Sequence, residues 1–133
     1  MNSPLVSHTE ISPNRTTPRN HKIDTITIHC TADHINVRAL GKLFSAKGRM
    51  ASSNYGIDDL GHIALYVDEA DRSWCSSNAA NDNRAVTIEV SSDDTAPYAV
   101  TAEAFSSLIY LVADICKRNG ITNAEFFVGK AEE

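Results

Sequence analysis

The sequence predicts an α/β fold in which helices pack against one β-sheet. Apolar and polar residues alternate at 24–31 and 85–91, which is the two-residue period of strands. Apolar residues recur at helical spacing at 36–47 and 101–119. Because strand and helix patterns alternate along only 133 residues, we expect one domain with one core.

The composition excludes several classes of function. The chain is 42% hydrophobic and 22% charged, as is ordinary for a globular protein. Its net charge of −5, without a run of Lys or Arg, makes nucleic acid an unexpected partner. No stretch approaches the roughly 20 apolar residues that span a bilayer, so we expect no membrane partner. Cys30, Cys75 and Cys116 are too widely spaced for a disulfide framework or a C-x-x-C metal pair.

The first 20 residues are predicted to form an extended arm. Residues 1–20 carry three prolines among Ser, Thr and Asn, a composition that disfavours a helix. Leu5, Val6 and Ile11 are the apolar residues that would hold the arm against the core. The arm lacks the charged and apolar regions of a secretory signal, so we expect synthesis in the cytoplasm.

The strand at 24–31 carries the first candidate site residue. Ile26 and Ile28 are predicted to face the core, and Thr27 and His29 to face the other side. A histidine on the polar face of a strand is held stiffly, which suits a metal ligand. A solvated histidine is the alternative interpretation.

A helix and a hairpin are predicted next. The helix at 36–47 would begin at the capping residue Asn36 and end at Gly48. Residues 53–58 and 62–67 would form a hairpin that turns through Asp-Leu-Gly at 59–61.

The segment at 68–83 is predicted to be a long irregular loop with a functional role, because it is rich in Ser, Asn and Asp. It holds Trp74, the only tryptophan, which is either a core residue or a wall of a ligand groove. Cys75 follows, and it either approaches the site or is simply a packed thiol.

The last helix is predicted with a cap at Thr101 and a stop at Asn119 and Gly120. Residues 124–128 are compatible with one further strand. The expected buried stripe of the helix consists of Phe105, Leu108, Ile109, Val112, Ile115 and Cys116.

A second candidate site residue lies on the strand at 85–91. Its apolar residues face one side, and Glu89 faces the other with Thr87 and Ser91. If the two strands are neighbours, His29 and Glu89 share one cleft. A histidine ligand beside a carboxylate is what a hydrolytic zinc centre requires, since the carboxylate can move the proton of the attacking water. A solvated strand residue is the alternative for Glu89.

Four segments together carry a resemblance to a known family. They read ITIHCT at 26–31, ASSNYGID at 51–58, RSWCSSNAA at 72–80 and NRAVTIEV at 83–90. In this order they resemble the zinc-dependent N-acetylmuramoyl-L-alanine amidases, which include many phage endolysins and are related to peptidoglycan recognition proteins. The resemblance implies a mixed central β-sheet flanked by helices, with zinc at its rim.

The resemblance also implies a reaction and its residues. Bacterial peptidoglycan would be the substrate, cleaved at the amide between N-acetylmuramic acid and L-alanine of the stem peptide. His29 matches the first zinc histidine of the family, and Glu89 matches its general base. The residues that fall in segments lining the substrate groove are Asn54, Tyr55, Trp74 and Asn78.

The C-terminal part departs from the family pattern. In the family, a second zinc histidine and a third ligand follow the last helix, but 121–133 contain no His, Cys or Asp. We therefore expect residues 21–133 to be an amidase-like domain that is incomplete at its C-terminus, with impaired zinc binding and hydrolysis. The alternative is a non-catalytic module that binds peptidoglycan. Either would act on the cell wall after release from the cytoplasm.

Overall fold

A computed structural model describes residues 1–127 of the chain. Within them, strands and helices alternate as the sequence predicts. In chain order the elements are β1 (His8–Thr9), β2 (Arg15–Thr16), β3 (Thr25–Cys30), α1 (Val37–Ser45), β4 (Tyr55–Ile57), β5 (Ile63–Leu65), β6 (Arg72–Ser73), α2 (Ala79–Arg84), β7 (Ala85–Val90) and α3 (Ala102–Arg118).

Five of the strands form one mixed sheet in the order β1-β5-β4-β7-β3. Strand β7 is parallel to both β4 and β3, whereas β4 and β5 form an antiparallel hairpin. Strands β2 and β6 pair separately as a small antiparallel sheet. The mixed sheet and the hairpin are both confirmed.

The two longer helices cover opposite faces of this sheet. On one face, Leu111 and Ile115 of α3 pack with Ile57 and Ile88 of the central strands. On the other face, α1 packs against Ala64 and its neighbours through a second buried cluster. In β5, Ile63 and Leu65 belong to the first cluster and Ala64 to the second, as the two-residue period of a strand requires. Among residues 1–127, no helix has the length and apolar character needed to cross a bilayer.

The ends of α1 and α3 test the capping predictions. The side chain of Asn36 accepts a hydrogen bond from the Ala39 N–H, and that of Thr101 accepts one from Ala104, so both predicted caps are confirmed. The prediction that Gly48 ends α1 is wrong. The helix ends at Ser45, and Gly48 lies in a short 3-10 turn, Lys47–Arg49, that continues the chain.

Two predictions of buried faces need correction. Ile26 packs against the core, but Ile28 is 47% exposed, because β3 is the edge strand of the sheet. On α3, Phe105 and Ile109 are 55% and 53% exposed. This helix carries apolar residues around much of its circumference, so the sequence did not decide which stripe faces the sheet.

The N-terminal arm is extended, as predicted, but polar contacts hold it. Leu5 and Ile11 are exposed, and only Val6 packs against the core. The side chain of Asn14 is buried and donates hydrogen bonds to backbone carbonyls at both ends of the 3-10 segment. Strands β1 and β2 lie within the arm, which is therefore part of both sheets.

The segment at 68–83 is not irregular throughout, because it contains β6 and most of α2. The side chain of Asn78 caps α2 by accepting a hydrogen bond from Asn81. Residues 124–127 form no strand, and Val128, the rest of that predicted strand, lies outside the described residues.

Replacing Arg19 with methionine is expected to destabilise the protein by roughly 2–4 kcal/mol, because it leaves several half-buried carbonyls without a donor. The shift of the urea unfolding midpoint measures this loss. Arg38→Met, which removes an exposed arginine of α1, is the matched control and should change stability by less than about 0.5 kcal/mol. Equal midpoint shifts in both variants would contradict the prediction. The carbonyl oxygens that accept from the Arg19 guanidinium belong to Glu69, Asp71, Asp82, Asn83 and Ala85.

His34 links three loops and should make stability depend on pH. Its ring nitrogens lie 2.8 Å from a carboxylate oxygen of Asp59 and 2.8 Å from one of Asp93. The hydrogen bonds to Asp93 and Asp59 raise the pKa of His34 above 6.5. A histidine whose pKa is higher in the folded than in the unfolded state stabilises the folded protein when it is protonated. This contribution is complete below the unfolded-state pKa and is lost as the pH rises through the folded-state pKa.

We therefore expect the wild type to be more stable than His34→Gln in mildly acidic solution, with a difference that shrinks at alkaline pH. Thermal unfolding of both proteins at about pH 5.5 and about pH 8.5, on either side of the ordinary histidine pKa, measures it. A difference that stays constant between these two pH values would contradict the prediction.

Candidate metal centre

His29 and Glu89 lie opposite each other on neighbouring strands. Strands β3 and β7 are parallel, and their register pairs His29 with Glu89. Residues in register on adjacent strands project to the same face of a sheet. The register therefore puts both side chains on the same face of the sheet, which the shared-cleft hypothesis requires.

Cys75 joins the two strand residues. One ligand atom each from His29, Cys75 and Glu89 lies within 4.8 Å of the others. The thiol of Cys75 donates a weak hydrogen bond to Glu89 Oε1 at 3.7 Å. The sequence left open whether Cys75 approaches the site, and the structure brings it there. We call these three residues the His29–Cys75–Glu89 cluster.

Contacts on both sides of Cys75 fix its position. The Cys75 N–H donates to Asp82 Oδ2 at 3.0 Å, and the Ser76 hydroxyl donates to Asp82 Oδ1 at 2.6 Å. On the other side, the hydroxyl groups of Ser73 and Thr87 are 2.6 Å apart, which ties β6 to β7. The buried Asp82 carboxylate of α2 therefore shapes the turn that carries the thiol.

The electrostatics of the cluster favour a bound cation. Burial raises the pKa of Glu89 to about 7. Burial, with the nearby Glu89 and Asp82 charges, raises the pKa of the Cys75 thiol. The Nε2 atom of His29 is buried, and it makes no hydrogen bond within residues 1–127. Two buried acids beside an unpaired imidazole nitrogen are unfavourable by themselves, and a divalent cation would stabilise all three.

The donor types are those that zinc prefers, namely an imidazole nitrogen, a thiolate sulfur and a carboxylate oxygen. The cluster could therefore hold a metal ion, and the residues present fit zinc. Among the described residues, it is the one group of three or more His, Cys, Asp or Glu side chains that lie close enough together to hold a metal ion.

The structure corrects the placement of Asn54 and Tyr55 in a groove. Both side chains are fully buried, so neither can contact a substrate. The Asn54 amide donates to the Val67 carbonyl and accepts from the Thr87 N–H. The Tyr55 hydroxyl donates to Glu69, and its burial raises the pKa of the phenol. These two residues connect the sheet to its surrounding loops.

Trp74 and Asn78 line one cavity of about 190 Å³. Trp74 is partly buried, and its Nε1 donates to the Thr16 hydroxyl at 2.9 Å. It therefore lines a cavity rather than filling the core, and its role as a wall of a ligand groove stays a prediction. Asn78 is exposed at the start of α2.

Comparison with protein-family models identifies the chain. Residues 19–132 match the family described as N-acetylmuramoyl-L-alanine amidase. The chain belongs to this family. Its membership of this family makes the chain an amidase by resemblance, as the sequence motifs predict. A comparison with curated protein sequences finds no significant match.

Solved structures share the fold of this amidase-family chain at low sequence identity. A mutant endolysin from Bacillus subtilis is 18% identical, with a TM-score of 0.69 over 86% of this chain and 77% of that one. An AmpD derivative is 16% identical, with a TM-score of 0.72 over 90% of this chain and 78% of that one. The N-acetylmuramoyl-L-alanine amidase LysC from Clostridium intestinale is 20% identical, with a TM-score of 0.67 over 91% of this chain and 80% of that one. These similarities support the mixed sheet with flanking helices.

Proposed function

We propose that this chain is a zinc-dependent peptidoglycan hydrolase that cleaves the amide between N-acetylmuramic acid and L-alanine of the stem peptide. The observation that carries the proposal is the His29–Cys75–Glu89 cluster in a chain of the amidase family. Structural relatives named as endolysins and amidases support the same reaction class.

In this proposal His29 and Cys75 hold the zinc ion, which supplies Lewis-acid polarisation of the scissile carbonyl and of the attacking water. His29 is suited to this role because its buried Nε2 has no partner among the described residues. Cys75 must lose its proton to bind, so zinc uptake is expected to release a proton. Cys75 is the second ligand in this proposal, because its Sγ lies within 4.8 Å of the donor atoms of His29 and Glu89.

Glu89 transfers the proton in this proposal. Its carboxylate would accept a proton from the attacking water and deliver it to the leaving amine of L-alanine. In the metal-free site, burial raises the pKa of Glu89 to about 7, so this carboxyl takes up a proton more readily than an ordinary glutamate does. Its place opposite His29 in the strand register keeps it beside the reacting atoms.

The substrate would lie along the cavity that Trp74 and Asn78 line, since Asp82 in the wall of this cavity accepts a hydrogen bond from the Cys75 N–H. The indole offers an apolar wall for a sugar or peptide, and the amide of Asn78 offers polar contacts. Since several structural relatives are endolysins, we propose that the chain acts on the bacterial cell wall after release from the cytoplasm.

One experiment tests the proposal directly. Purified protein is analysed for zinc and incubated with bacterial cell walls, and newly formed N-terminal L-alanine is quantified. We expect stoichiometric zinc together with release of the amine. Binding of muropeptides without zinc and without release would support the non-catalytic binding module instead. Substoichiometric zinc with slow release of the amine would instead support the impaired hydrolase that the lack of His, Cys and Asp at 121–133 predicts.

A further inference from the structure

Strand β3 forms a long open edge of the mixed sheet. It is the last strand in the order β1-β5-β4-β7-β3, and within residues 1–127 no strand lies along its outer side. It has six residues, whereas β1 at the opposite edge has only two. Because the N–H and C=O groups of an edge can pair with another chain, β3 is where a further strand could join the sheet.

The outward backbone groups of β3 belong to Ile26, Ile28 and Cys30. The Thr31 N–H donates to the Val90 carbonyl of β7 at 3.0 Å. Successive residues of a strand direct their N–H and C=O groups to opposite sides, so residues 25, 27 and 29 face β7 as Thr31 does. The three residues between these positions face away from the sheet and can pair with a further strand.

The edge carries none of the features that usually prevent such pairing, which are charged side chains, proline and a bulge. The sequence at 25–30 contains no Lys, Arg, Asp, Glu or Pro, and its register with β7 is continuous. Ile28 lies on the same face as Ile26, which packs against the core under α3, but Ile28 itself is 47% exposed. An apolar and uncharged edge strand is therefore open to solvent.

Helix α3 extends this apolar surface. It packs over β4 and β7, and its Ser107 hydroxyl donates to the Gly61 carbonyl in the β4–β5 turn at 2.6 Å, so the flank with Ser107 faces β5. Residues two positions away lie about 200° round a helix, which puts Phe105 and Ile109 on the flank toward β3. These two side chains are 55% and 53% exposed. We call Ile28, Phe105 and Ile109 the β3 edge surface.

A second copy of the chain is complementary to this edge. If two β3 strands pair antiparallel with Ile28 opposite the same residue of the second copy, Ile26 lies opposite Cys30, and Thr27 opposite His29. Residues opposite each other in an antiparallel pair point to the same face, so apolar residues meet and no like charges meet. A charged segment of another protein would find no opposite charge on β3.

We propose that two copies of this chain form a dimer through antiparallel pairing of their β3 strands, which joins two five-stranded sheets into one. The two Ile28 side chains cover each other, and Phe105 and Ile109 of both copies pack over the joined strands, which removes apolar surface from water. The two-fold arrangement stops at two copies, because the other edge of the sheet is only two residues long. The dimer does not depend on the proposed hydrolytic activity.

Sedimentation velocity of the full chain from about 1 to about 200 µM tests the dimer. We expect a dissociation constant on the order of 10 µM, since one strand and a few side chains form an interface at the small end of specific ones. Ile28→Lys places two like charges opposite each other across the two-fold axis and should weaken association at least about tenfold. A wild type that stays monomeric at every concentration, or that grows beyond a dimer, would overturn the inference.

Leu60→Lys is the matched control, because Leu60 is a 75% exposed leucine in the β4–β5 turn, away from β3. It should dimerise like the wild type. Thermal unfolding of both lysine variants at low concentration checks that each is folded. Equal loss of association in the two variants would indicate nonspecific apolar contact, and undiminished association in Ile28→Lys would place the interface elsewhere. Either result contradicts the proposal.

A covalent cross-link tests the register and gives a measurement even if Ile28→Lys does not fold. Ile28→Cys in a Cys30→Ser background puts two thiols opposite each other, on backbones about 5.5 Å apart at Cα. A short bis-maleimide reagent should join these copies into a covalent dimer, whereas Cys30→Ser alone should stay monomeric on a denaturing gel. Absence of a linkage between the two introduced cysteines would refute the register.

Hydrogen exchange separates a second copy from any other occupant of the edge. The outward amides of Ile26 and Ile28 should become more protected as the protein concentration rises through the dissociation constant. Protection that is high at every concentration would mean that another segment of the same chain covers β3. That result, or amides that stay unprotected at every concentration, would overturn the dimer.

Discussion

His29→Ala is expected to weaken zinc binding by at least about 100-fold. Removing a residue that only hydrogen-bonds to a metal ligand already lowers metal affinity by about 10–100-fold, and His29 is proposed as a ligand itself. The Nε2 atom of His29 is buried without a partner among the described residues, so nothing else uses it. The remaining ligand, Cys75, is a thiol whose pKa is raised by burial, so it binds a cation only after losing its proton. Titration of zinc against a chromophoric chelator measures the change.

Matched variants separate a metal site from nonspecific binding. His21→Ala removes an exposed histidine outside the cluster and should leave zinc affinity unchanged. Cys75→Ser should weaken zinc binding, whereas Cys116→Ser, which removes a partly buried thiol of α3, should not. Undiminished zinc affinity in His29→Ala would refute the metal centre proposed here.

Glu89→Gln is expected to lower turnover of peptidoglycan by roughly 10²–10⁴-fold, the usual contribution of a general acid–base group. Glutamine keeps the size and hydrogen-bonding capacity of the side chain but cannot accept the proton of the attacking water. Since zinc is assigned to His29 and Cys75, the metal content should remain near that of the wild type. The rate of amine release from cell walls and the zinc content of the same sample are the two measurements.

Glu103→Gln is the control for Glu89→Gln, because Glu103 is an exposed acidic residue in the first turn of α3. It should retain wild-type turnover. If Glu89→Gln loses zinc together with activity, Glu89 is a third ligand of the metal rather than the group that transfers the proton. If it keeps full turnover, Glu89 has neither role.

Much of the site follows from local sequence patterns. Alternation within β3 and β7 puts His29 and Glu89 on the polar face of each strand, and this period depends only on neighbouring residues. Capping depends on side chains within one helical turn, so Asn36 and Thr101 were predicted correctly. The order of the four motifs was sufficient to predict the amidase family.

The remaining parts of the site depend on contacts between residues far apart in the chain. Cys75 reaches Glu89 because Asp82 binds its turn and because β6 is tied to β7. Tyr55 is buried rather than exposed in a groove, since Glu69 and Ser3 meet its hydroxyl in the interior.

The sequence by itself determined β3, β7, the β4–β5 hairpin, the N-terminal caps of α1 and α3, the family and the faces of His29 and Glu89, because these follow from spacing along the chain. Only the tertiary structure decided that β3 and β7 are paired in register and that Cys75 completes the cluster. Strand pairing depends on contacts between residues far apart in the chain. The position of Cys75 depends on the path of residues 68–83, which hydrogen bonds to the distant residues Thr16, Ser52 and Thr87 determine.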